Sequence, residues 1–140
     1  MSRVFWDTNI FIYLFEERGS LSQKAAALRI RMLQRGDQLF TSALTVGEIL
    51  VKPMEADDSD LCDRYESAIA QTAVIVPFDS KAARIYAALR LDRAIKAPDA
   101  FQLACAATAR IDLFITNDHR LRGKHVQGIH FISDLDQAPI

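Results

Sequence analysis

Short apolar runs alternate with longer segments of helical periodicity along this chain. The short runs have β-prone composition and polar flanks, which predicts strands. They are Val4 to Trp6, Leu39 to Thr41, Val74 to Val76, Leu113 to Ile115 and His130 to Ile132. The segments between them predict helices at residues 9–17, 21–35, 44–51, 58–72, 80–95 and 99–110. This alternation is typical of βαβ units, so the pattern predicts an α/β fold with a parallel sheet.

The predicted helix at residues 21–35 has clear boundary signals. Ser20 precedes it and is expected to cap its amino end, and Gly36 is expected to terminate it. Its apolar positions fall on one face, which predicts a buried stripe. These positions are Ala25, Leu28, Met32 and Leu33.

The chain has 140 residues and contains no repeat, low-complexity tract or linker. Since domains average roughly 150 residues, we expect one domain over residues 1–140. The long polar stretch Pro53 to Asp60 is expected to be a loop inside that domain.

The compartment can be inferred from the amino-terminal pattern and the cysteines. The apolar run Ile10 to Phe15 is separated from the first strand by Asp7-Thr8-Asn9, which is not the pattern of a signal peptide. The chain has no stretch of about 18 apolar residues, so the sequence predicts no membrane span. Cys62 and Cys105 are expected to be buried reduced thiols. We therefore expect a cytoplasmic protein without membrane contact.

Composition excludes two classes of protein. Half of the residues (50%) are hydrophobic and 17 Lys and Arg stand against 18 Asp and Glu, a net charge of −1. Intrinsic disorder needs the reverse balance, and a globally basic coat for nucleic acid needs clustered excess cations. The charge is uneven, however: residues 37–80 hold 2 basic and 9 acidic residues, and residues 81–130 hold 9 and 4. Solvated helix faces and a local surface for a polyanion both explain this.

Two acids follow predicted strands. Asp7 comes directly after the first strand, and Asp118 follows Leu113 to Ile115 within Thr116-Asn117-Asp118. Ligands of parallel sheets bind outside the carboxyl ends of the strands, so both acids are placed at the expected site. For Asp7 the simpler alternative is a helix cap. Two similar clusters in one sheet favour a shared site for a metal or a polyanion.

Two further acids stand at the starts of helices. Asp99 opens an apolar helix and is also explained by the helix dipole. Glu48 follows Thr45 by three residues, the spacing of a capping box. The strand Leu39 to Thr41 would deliver this helix to the same edge of the sheet.

Four carboxylates in one cleft would repel one another and raise one another's pKa values. A divalent cation relieves this repulsion, and hard oxygen ligands suit Mg²⁺ or Mn²⁺. Such a metal activates water and stabilises the leaving oxygen of a phosphodiester. The acids therefore predict metal-dependent phosphodiester hydrolysis.

Other chemistries fit the sequence less well. His119, His125 and His130 lie without zinc-ligand spacing in a polar region, which favours surface positions. The glycines form no phosphate-binding loop or dinucleotide fingerprint, and no nucleophile elbow is present.

At the positions of these acids the sequence resembles the PIN-domain ribonucleases, particularly the VapC-type toxins of bacterial toxin–antitoxin pairs. The order, spacing and total length of four motifs match a whole small PIN domain. The motifs are Phe5-Trp6-Asp7-Thr8-Asn9, Ser42-Ala43-Leu44-Thr45-Val46-Gly47-Glu48-Ile49, Pro98-Asp99-Ala100-Phe101-Gln102-Leu103-Ala104 and Ile115-Thr116-Asn117-Asp118.

The resemblance implies a three-layer α/β/α fold with a central parallel sheet of four or five strands and a Mg²⁺ or Mn²⁺ site. It also implies endonucleolytic cleavage of RNA, a homodimer, and inhibition by an antitoxin. The acidic ligands are then Asp7, Glu48, Asp99 and Asp118. Thr8, Asn9, Thr116 and Asn117 are expected to support them.

The sequence leaves three other functions open. A non-toxin PIN nuclease fits the same motifs. A small phosphatase would use Asp7 as its nucleophile, but such enzymes need a second acid where Asn9 stands. In a catalytically silent binding module, the acids would only cap helices. The segment Ile10 to Phe15, apolar all round, is either core or a face for a partner.

Overall fold

Strands alternate with helices in the structure, a computed structural model that describes residues 1–140. The strands are β1 (Arg3–Trp6), β2 (Gln38–Ser42), β3 (Val74–Val76), β4 (Ile111–Ile115) and β5 (Ile129–Ser133). The helices are α1 (Thr8–Phe15), α2 (Ser20–Arg35), α3 (Ala43–Glu55), α4 (Ser59–Thr72), α5 (Ser80–Leu89) and α6 (Ala97–Ala109). A 3₁₀ helix spans His119–Leu121.

The five strands form one parallel sheet in the order β3-β2-β1-β4-β5. Val4 is the partner of Leu39 on one side and of Leu113 on the other, so β1 is the central strand. All strands point the same way, and their carboxyl ends therefore lie along one edge. The residues that follow β1 and β4 are neighbours at that edge.

Helices cover both faces of the sheet because alternate side chains of each strand point to opposite sides. Trp6 packs with residues of α1 to α4, whereas Phe5 packs with residues of α6. Phe5 stacks on Phe114 of β4 with ring centroids 5.0 Å apart. The predicted three-layer α/β/α fold is confirmed, with five strands in its sheet.

Helix α2 differs from its predicted cap. Gly19 occupies the N-cap position and Ser20 is already the first helical residue, so the predicted Ser20 cap is wrong. The hydroxyl of Ser22 instead accepts from the backbone of Arg18 and donates to the carbonyl of Glu16. Gly36 terminates the helix with φ +74°, as predicted.

Three of the four residues predicted to form the buried stripe of α2 are buried. Ala25, Leu28 and Met32 are fully buried, but Leu33 is 61% exposed. Leu33 directly follows Met32, and the turn of about 100° per residue carries it off the buried face.

Helix α3 extends beyond the predicted end at residue 51 and runs through Pro53 to Glu55. Only residues 56–58 separate it from α4, so the predicted loop Pro53 to Asp60 is largely helical. Pro53 removes one backbone donor near the end of the helix, so only one hydrogen bond of the helix is lost. The chain leaves the helix through Asp57, whose φ is +51°. The backbone of Asp58 donates to the carbonyl of Pro53 at 2.9 Å, which satisfies one end of the helix.

Helix α5 is shorter than predicted and ends at Leu89 rather than residue 95. The following segment turns at Asp92, whose carboxylate accepts from the backbone of Ala94 at 3.0 Å. Ile95 is buried in the core and anchors the segment before α6. The other predicted elements differ from the structure by only a few residues at their ends.

Cys62 and Cys105 are both buried and free, as predicted. None of the helices combines the length and apolar character needed to cross a membrane.

Candidate active site

Asp7 and the segment Thr116 to Asp118 lie side by side at the carboxyl edge of the sheet. They follow the adjacent strands β1 and β4, and the backbone N–H of Asp7 donates to the carbonyl of Ile115 at 2.9 Å. The parallel pairing of these strands therefore fixes the distance between the two acidic segments.

The Asp7 carboxylate is held on both oxygens. One oxygen accepts from the backbone of Thr8 at 2.8 Å, and the other accepts from the Thr116 hydroxyl at 2.7 Å. Asp7 is only 8% exposed and is also the N-cap of α1. Burial raises the pKa of Asp7, the two hydrogen bonds oppose that shift, and the nearby charges of Glu48 and Asp118 add to it. Asp7 thus both caps a helix and faces the acidic edge.

Glu48 does not form a capping box with Thr45, which was the simpler alternative to a role as a ligand. Ser42 occupies the N-cap position of α3, and Thr45 lies one turn inside the helix and is buried. The Glu48 carboxylate accepts from the Thr8 hydroxyl at 2.6 Å. Because Thr8 follows Asp7, this bond ties Glu48 to the end of β1.

A buried amide organises the hydroxyls beneath the acids. Gln102 of α6 is 1% exposed, and its Nε2 donates to Thr8 at 2.9 Å and to Thr45 at 2.8 Å. Its Oε1 accepts from Ser42 at 2.5 Å. Gln102 therefore joins α6, α1 and α3, and it leaves the Thr8 hydroxyl proton free to bind Glu48.

Asp99 and Asp118 face each other and share one cation. Arg120 binds the Asp118 carboxylate through Nη2 at 2.7 Å and Nε at 3.0 Å, and its Nη2 lies 3.7 Å from the carboxylate of Asp99. Burial, together with the charges of Asp118 and Asp7, raises the pKa of Asp99 to about 6. The hydrogen bond from Arg120 lowers the pKa of Asp118.

The two predicted asparagines lie beside this edge. The backbone of Asn117 approaches Oδ1 of Asn9 at 3.4 Å, and Nδ2 of Asn117 donates to the hydroxyl of Tyr13 at 2.9 Å. These bonds link α1 to the segment after β4. They position the loop that carries Asp118.

All four predicted acids lie at this edge, although their interactions differ. The charges of Asp118 and Asp7 raise the pKa of Asp99, and the charges of Glu48 and Asp118 raise the pKa of Asp7, so all four acids lie close together. Thr8 and Thr116 contact the carboxylates directly, whereas Asn9 and Asn117 do not.

Two residues of the site were absent from the predicted set. Gln102 could have been predicted from the sequence, because it is the only amide in an apolar helix. It also stands three residues after Asp99, on the same face of that helix. Arg120 was harder to predict, because a surface arginine close to an aspartate is common. The sequence does not show that Arg120 also faces Asp99.

The donor set suits a hard divalent cation, since it consists of carboxylates and hydroxyls without sulfur or imidazole. Neighbouring carboxylate charges add to the effect of burial in raising the pKa values of Asp7 and Asp99, so positive charge would stabilise their ionised forms. In the side-chain arrangement of the structure, no three acidic, histidine or cysteine residues form a chelating group. The guanidinium of Arg120 supplies the cation between Asp99 and Asp118.

The histidines lie outside this arrangement. His119, His125 and His130 are all exposed, as the sequence predicted. His130 pairs with Asp112 at 3.3 Å, at the opposite edge of the sheet.

The fold and the acidic edge define a parallel α/β protein with a carboxylate cluster outside its central strands. The PIN domain family model matches residues 4–125, so this chain belongs to the PIN domain family. The resemblance predicted from the four motifs is confirmed. No curated protein sequence matches the chain.

Solved structures of similar fold come from bacterial toxin–antitoxin complexes. A complex from Klebsiella pneumoniae is 27% identical, with a TM-score of 0.66, over 90% of this chain and 94% of that chain. VapBC-1 from nontypeable Haemophilus influenzae is 20% identical, with a TM-score of 0.69, over 96% and 98%. VapBC2 from Rickettsia felis, bound to a promoter DNA fragment, is 14% identical, with a TM-score of 0.69, over 94% and 97%. At identities of 20% and 14%, the last two similarities show the fold alone.

Proposed function

We propose that this chain is a Mg²⁺- or Mn²⁺-dependent endoribonuclease and the toxin of a toxin–antitoxin pair. The observation that carries the proposal is the cluster of Asp7, Asp99 and Asp118 at the carboxyl edge, where the pKa of Asp99 is raised to about 6. The charges of Asp7 and Asp118 destabilise the ionised form of the partly buried Asp99, which is the arrangement of a cation site rather than of packing. Membership of the PIN domain family supports the same activity.

The ligands we assign are Asp7, Glu48, Asp99 and Asp118. Thr116 orients Asp7 at 2.7 Å and Thr8 orients Glu48 at 2.6 Å, so each of these carboxylates has a fixed direction before a metal binds. Asn9 and Asn117 hold the loop of Asp118 against α1. A bound divalent cation would supply a water nucleophile at neutral pH and neutralise charge on the phosphate.

The reaction we assign is hydrolysis of an RNA phosphodiester. Water adds to phosphorus, the bond from phosphorus to one ester oxygen breaks, and that oxygen takes up a proton. The carboxylates hold the reacting group at the edge of the sheet, and the buried Thr8, Thr45 and Gln102 beneath them exclude bulk water from that side.

Cleavage of single-stranded RNA tests this activity. Purified protein free of any antitoxin should cut RNA with Mg²⁺ or Mn²⁺, and EDTA should abolish cutting. Asp7→Asn and Asp99→Asn should reduce the rate at least about a hundredfold, which corresponds to ~2.7 kcal/mol of transition-state stabilisation. Asp112→Asn, at the opposite edge of the sheet, is the matched control. Absence of cutting by the wild type with every divalent cation would contradict the proposal.

The partner we propose is a cognate antitoxin, and we propose that the toxin itself is a homodimer. Support for the antitoxin comes from the solved structures of similar fold, which are toxin–antitoxin complexes. Expression of the chain alone should arrest growth, and co-expression of a small protein encoded beside it should restore growth. Light scattering on the purified chain measures the oligomeric state. Growth arrest that Asp7→Asn does not relieve would argue against a nuclease toxin.

A binding module is the second candidate, because Asp7 caps α1 and Asp118 caps the 3₁₀ helix, as structural acids do. Calorimetry separates the two functions. A nuclease should show Mn²⁺ binding that is lost in Glu48→Gln and Asp118→Asn, whereas a binding module should show no such heat. The phosphatase alternative has less support, since both oxygens of Asp7 are already hydrogen-bonded.

A further inference from the structure

An aromatic cavity adjoins the acidic edge. Phe78, Tyr86 and Phe101 line it, and its volume is about 410 Å³. Phe78 stacks on Phe101 with centroids 4.2 Å apart and meets Tyr86 edge-on at 5.8 Å. These rings are only half-buried, although they pack against the core of the α5 and α6 layer. They therefore present apolar surface to solvent at a place that the proposed ligands do not use.

The cavity shares a wall with the proposed active site. Glu48 lines both, and Pro98, at the rim of the cavity, directly precedes Asp99. A group held at the acids and a group held in the cavity are thus close enough to belong to one small molecule or to one nucleotide.

An exposed cation lies beside the cavity, and two more stand in the segment that leads to it. Arg90 lies over the ring of Tyr86 at 6.0 Å and donates to its hydroxyl at 3.2 Å. Arg93 and Lys96 follow in the segment that leads to Pro98, and both are exposed. None of the three forms an ion pair, whereas several other surface cations do. This segment provides part of the basic excess of residues 81–130.

We propose that this cavity is a base-binding subsite, which takes the unstacked nucleobase of an RNA nucleotide next to the scissile phosphate. The proposal rests on the proposed action on RNA and adds a determinant of sequence preference. Aromatic faces beside a cationic track are the combination that binds single-stranded nucleic acid. Such strands are recognised by stacking splayed bases on aromatic side chains.

The cavity suits a base better than the apolar face of a second copy. Its lining includes the carboxylate of Glu48, which the apolar face of a second copy would have to desolvate, and Arg90 lies beside the ring of Tyr86 without an ion-pair partner. A nucleotide instead places its phosphates against the cations and its flat ring against Phe78, Tyr86 or Phe101. The bases then contribute affinity that the sugar-phosphate backbone alone does not provide.

Filling the cavity tests the subsite. Ala83 lines it and is exposed, so Ala83→Leu fills space without removing a core side chain. Ala87→Leu is the matched control, since Ala87 is exposed one turn further along α5 and outside the cavity. The probes are fluorescein-labelled hexauridylate, hexaadenylate and a hexamer of ribose phosphates without bases, measured by anisotropy in EDTA.

Wild type and Ala87→Leu should bind at least one base-containing hexamer about tenfold more tightly than the abasic hexamer. Ala83→Leu should bind all three with nearly the same affinity. Equal binding of all three probes by the wild type, or an unchanged preference in Ala83→Leu, overturns the subsite. So does a change in oligomeric state of Ala83→Leu on light scattering, because it assigns the cavity to a contact with a second copy.

Cleavage of a randomised RNA pool by the same preparations tests the proposed nuclease separately. We expect a base preference at one position beside the cut that Ala83→Leu relaxes and Ala87→Leu keeps. If the wild type cuts but Ala83→Leu has the same preference, the subsite is wrong and the nuclease stands. If the wild type binds bases through the cavity but cuts nothing, the nuclease is wrong and the base-binding assignment stands.

Discussion

Gln102 is an uncharged residue that positions the hydroxyl groups beneath the acidic edge. It is buried among three hydroxyl groups, and its amide makes a hydrogen bond with each of them. Removal of the amide would leave Ser42, Thr45 and Thr8 without that partner in a place where water does not reach. Buried polar groups without partners are costly, so this residue couples the stability of the fold to the geometry of the site.

We expect Gln102→Leu to lower the free energy of unfolding by about 2–4 kcal/mol, because several buried hydroxyls lose a hydrogen bond. Urea unfolding followed by circular dichroism measures the loss. Gln71→Leu is the matched control, since Gln71 is exposed on α4 and should change the stability by no more than about 0.5 kcal/mol. A Gln102→Leu protein as stable as the wild type would contradict this account of the network.

Asp99 should make stability depend on pH when no metal is present. Its pKa in the folded protein is about 6 against the ordinary 3.8, so the folded state keeps a proton that the unfolded state has lost between these values. This contribution to stability is complete below about pH 4 and disappears as the pH rises through about 6. At pH 7 the ionised carboxylate therefore destabilises the fold.

In EDTA at pH 7, Asp99→Asn should melt at a higher temperature than the wild type, and the difference should shrink toward pH 4. Thermal unfolding at several pH values measures it. The exposed acid Asp60 of α4 provides the control Asp60→Asn, which should show no such trend. A difference in melting temperature that stays constant with pH would contradict the raised pKa.

The sequence could locate the acids of the site but not their partners. A carboxylate after a strand, as at Asp7, is visible from the local pattern alone. The bond between Glu48 and Thr8 joins residues 40 positions apart. The spacing to Thr45 suggested a capping box because local spacing cannot show that another helix supplies a competing hydroxyl.

At the scale of elements, the end of α3 shows how a helix can continue through a proline. Pro53 lies within the last turn, and the chain then reverses at Asp57 in a left-handed conformation with φ +51°. Asp57 donates to the carbonyl of Met54 at 3.1 Å, which completes the terminating motif. An aspartate tolerates this conformation better than most residues, but glycine adopts it without strain.

Asp57→Gly should therefore raise the free energy of unfolding by up to about 1 kcal/mol. Asp57→Val at the same position should lower it by about 1–2 kcal/mol, because a β-branched side chain disfavours positive φ. The two variants serve as controls for each other in urea unfolding. Equal stability of the glycine and valine variants would show that the positive φ at residue 57 does not affect the free energy of unfolding.

Element boundaries were predictable where the signal is local and failed where tertiary contacts decide. The five strands were found because each is an apolar run, and Gly36 marked the end of α2 correctly. The polar composition after Pro53 suggested a loop, yet packing of α3 against α4 extends the helix by four residues. The segment after α5 was predicted to continue the helix, but it turns at Asp92 and Ile95 is buried in the core.

At the scale of the whole molecule, one edge of the sheet concentrates negative charge that the rest of the chain does not neutralise. Arg120 compensates part of it for Asp99 and Asp118, and it is mostly exposed. A divalent cation would compensate more, because it carries twice the charge and needs no side-chain ordering. We therefore expect metal binding to stabilise the whole fold.

Saturating Mn²⁺ at about a hundred times its dissociation constant should add ~2.7 kcal/mol and raise the melting temperature by about 10 °C. Differential scanning fluorimetry with and without EDTA measures the shift. Asp118→Asn should lose most of it and Asp112→Asn should keep it. An unchanged melting temperature of the wild type at saturating metal would argue against a clustered site.

The order of strands in the sheet has a consequence for synthesis. β1 is made first, yet one of its two neighbours is β4, with Val4 paired to Leu113. Until β4 leaves the ribosome, β1 is an edge strand, and Thr116 has not yet reached Asp7. Asp118 emerges later still, so a growing chain carries an incomplete carboxylate cluster for most of its translation. The carboxylate cluster is therefore complete only after β4 and the segment that carries Asp118 have left the ribosome.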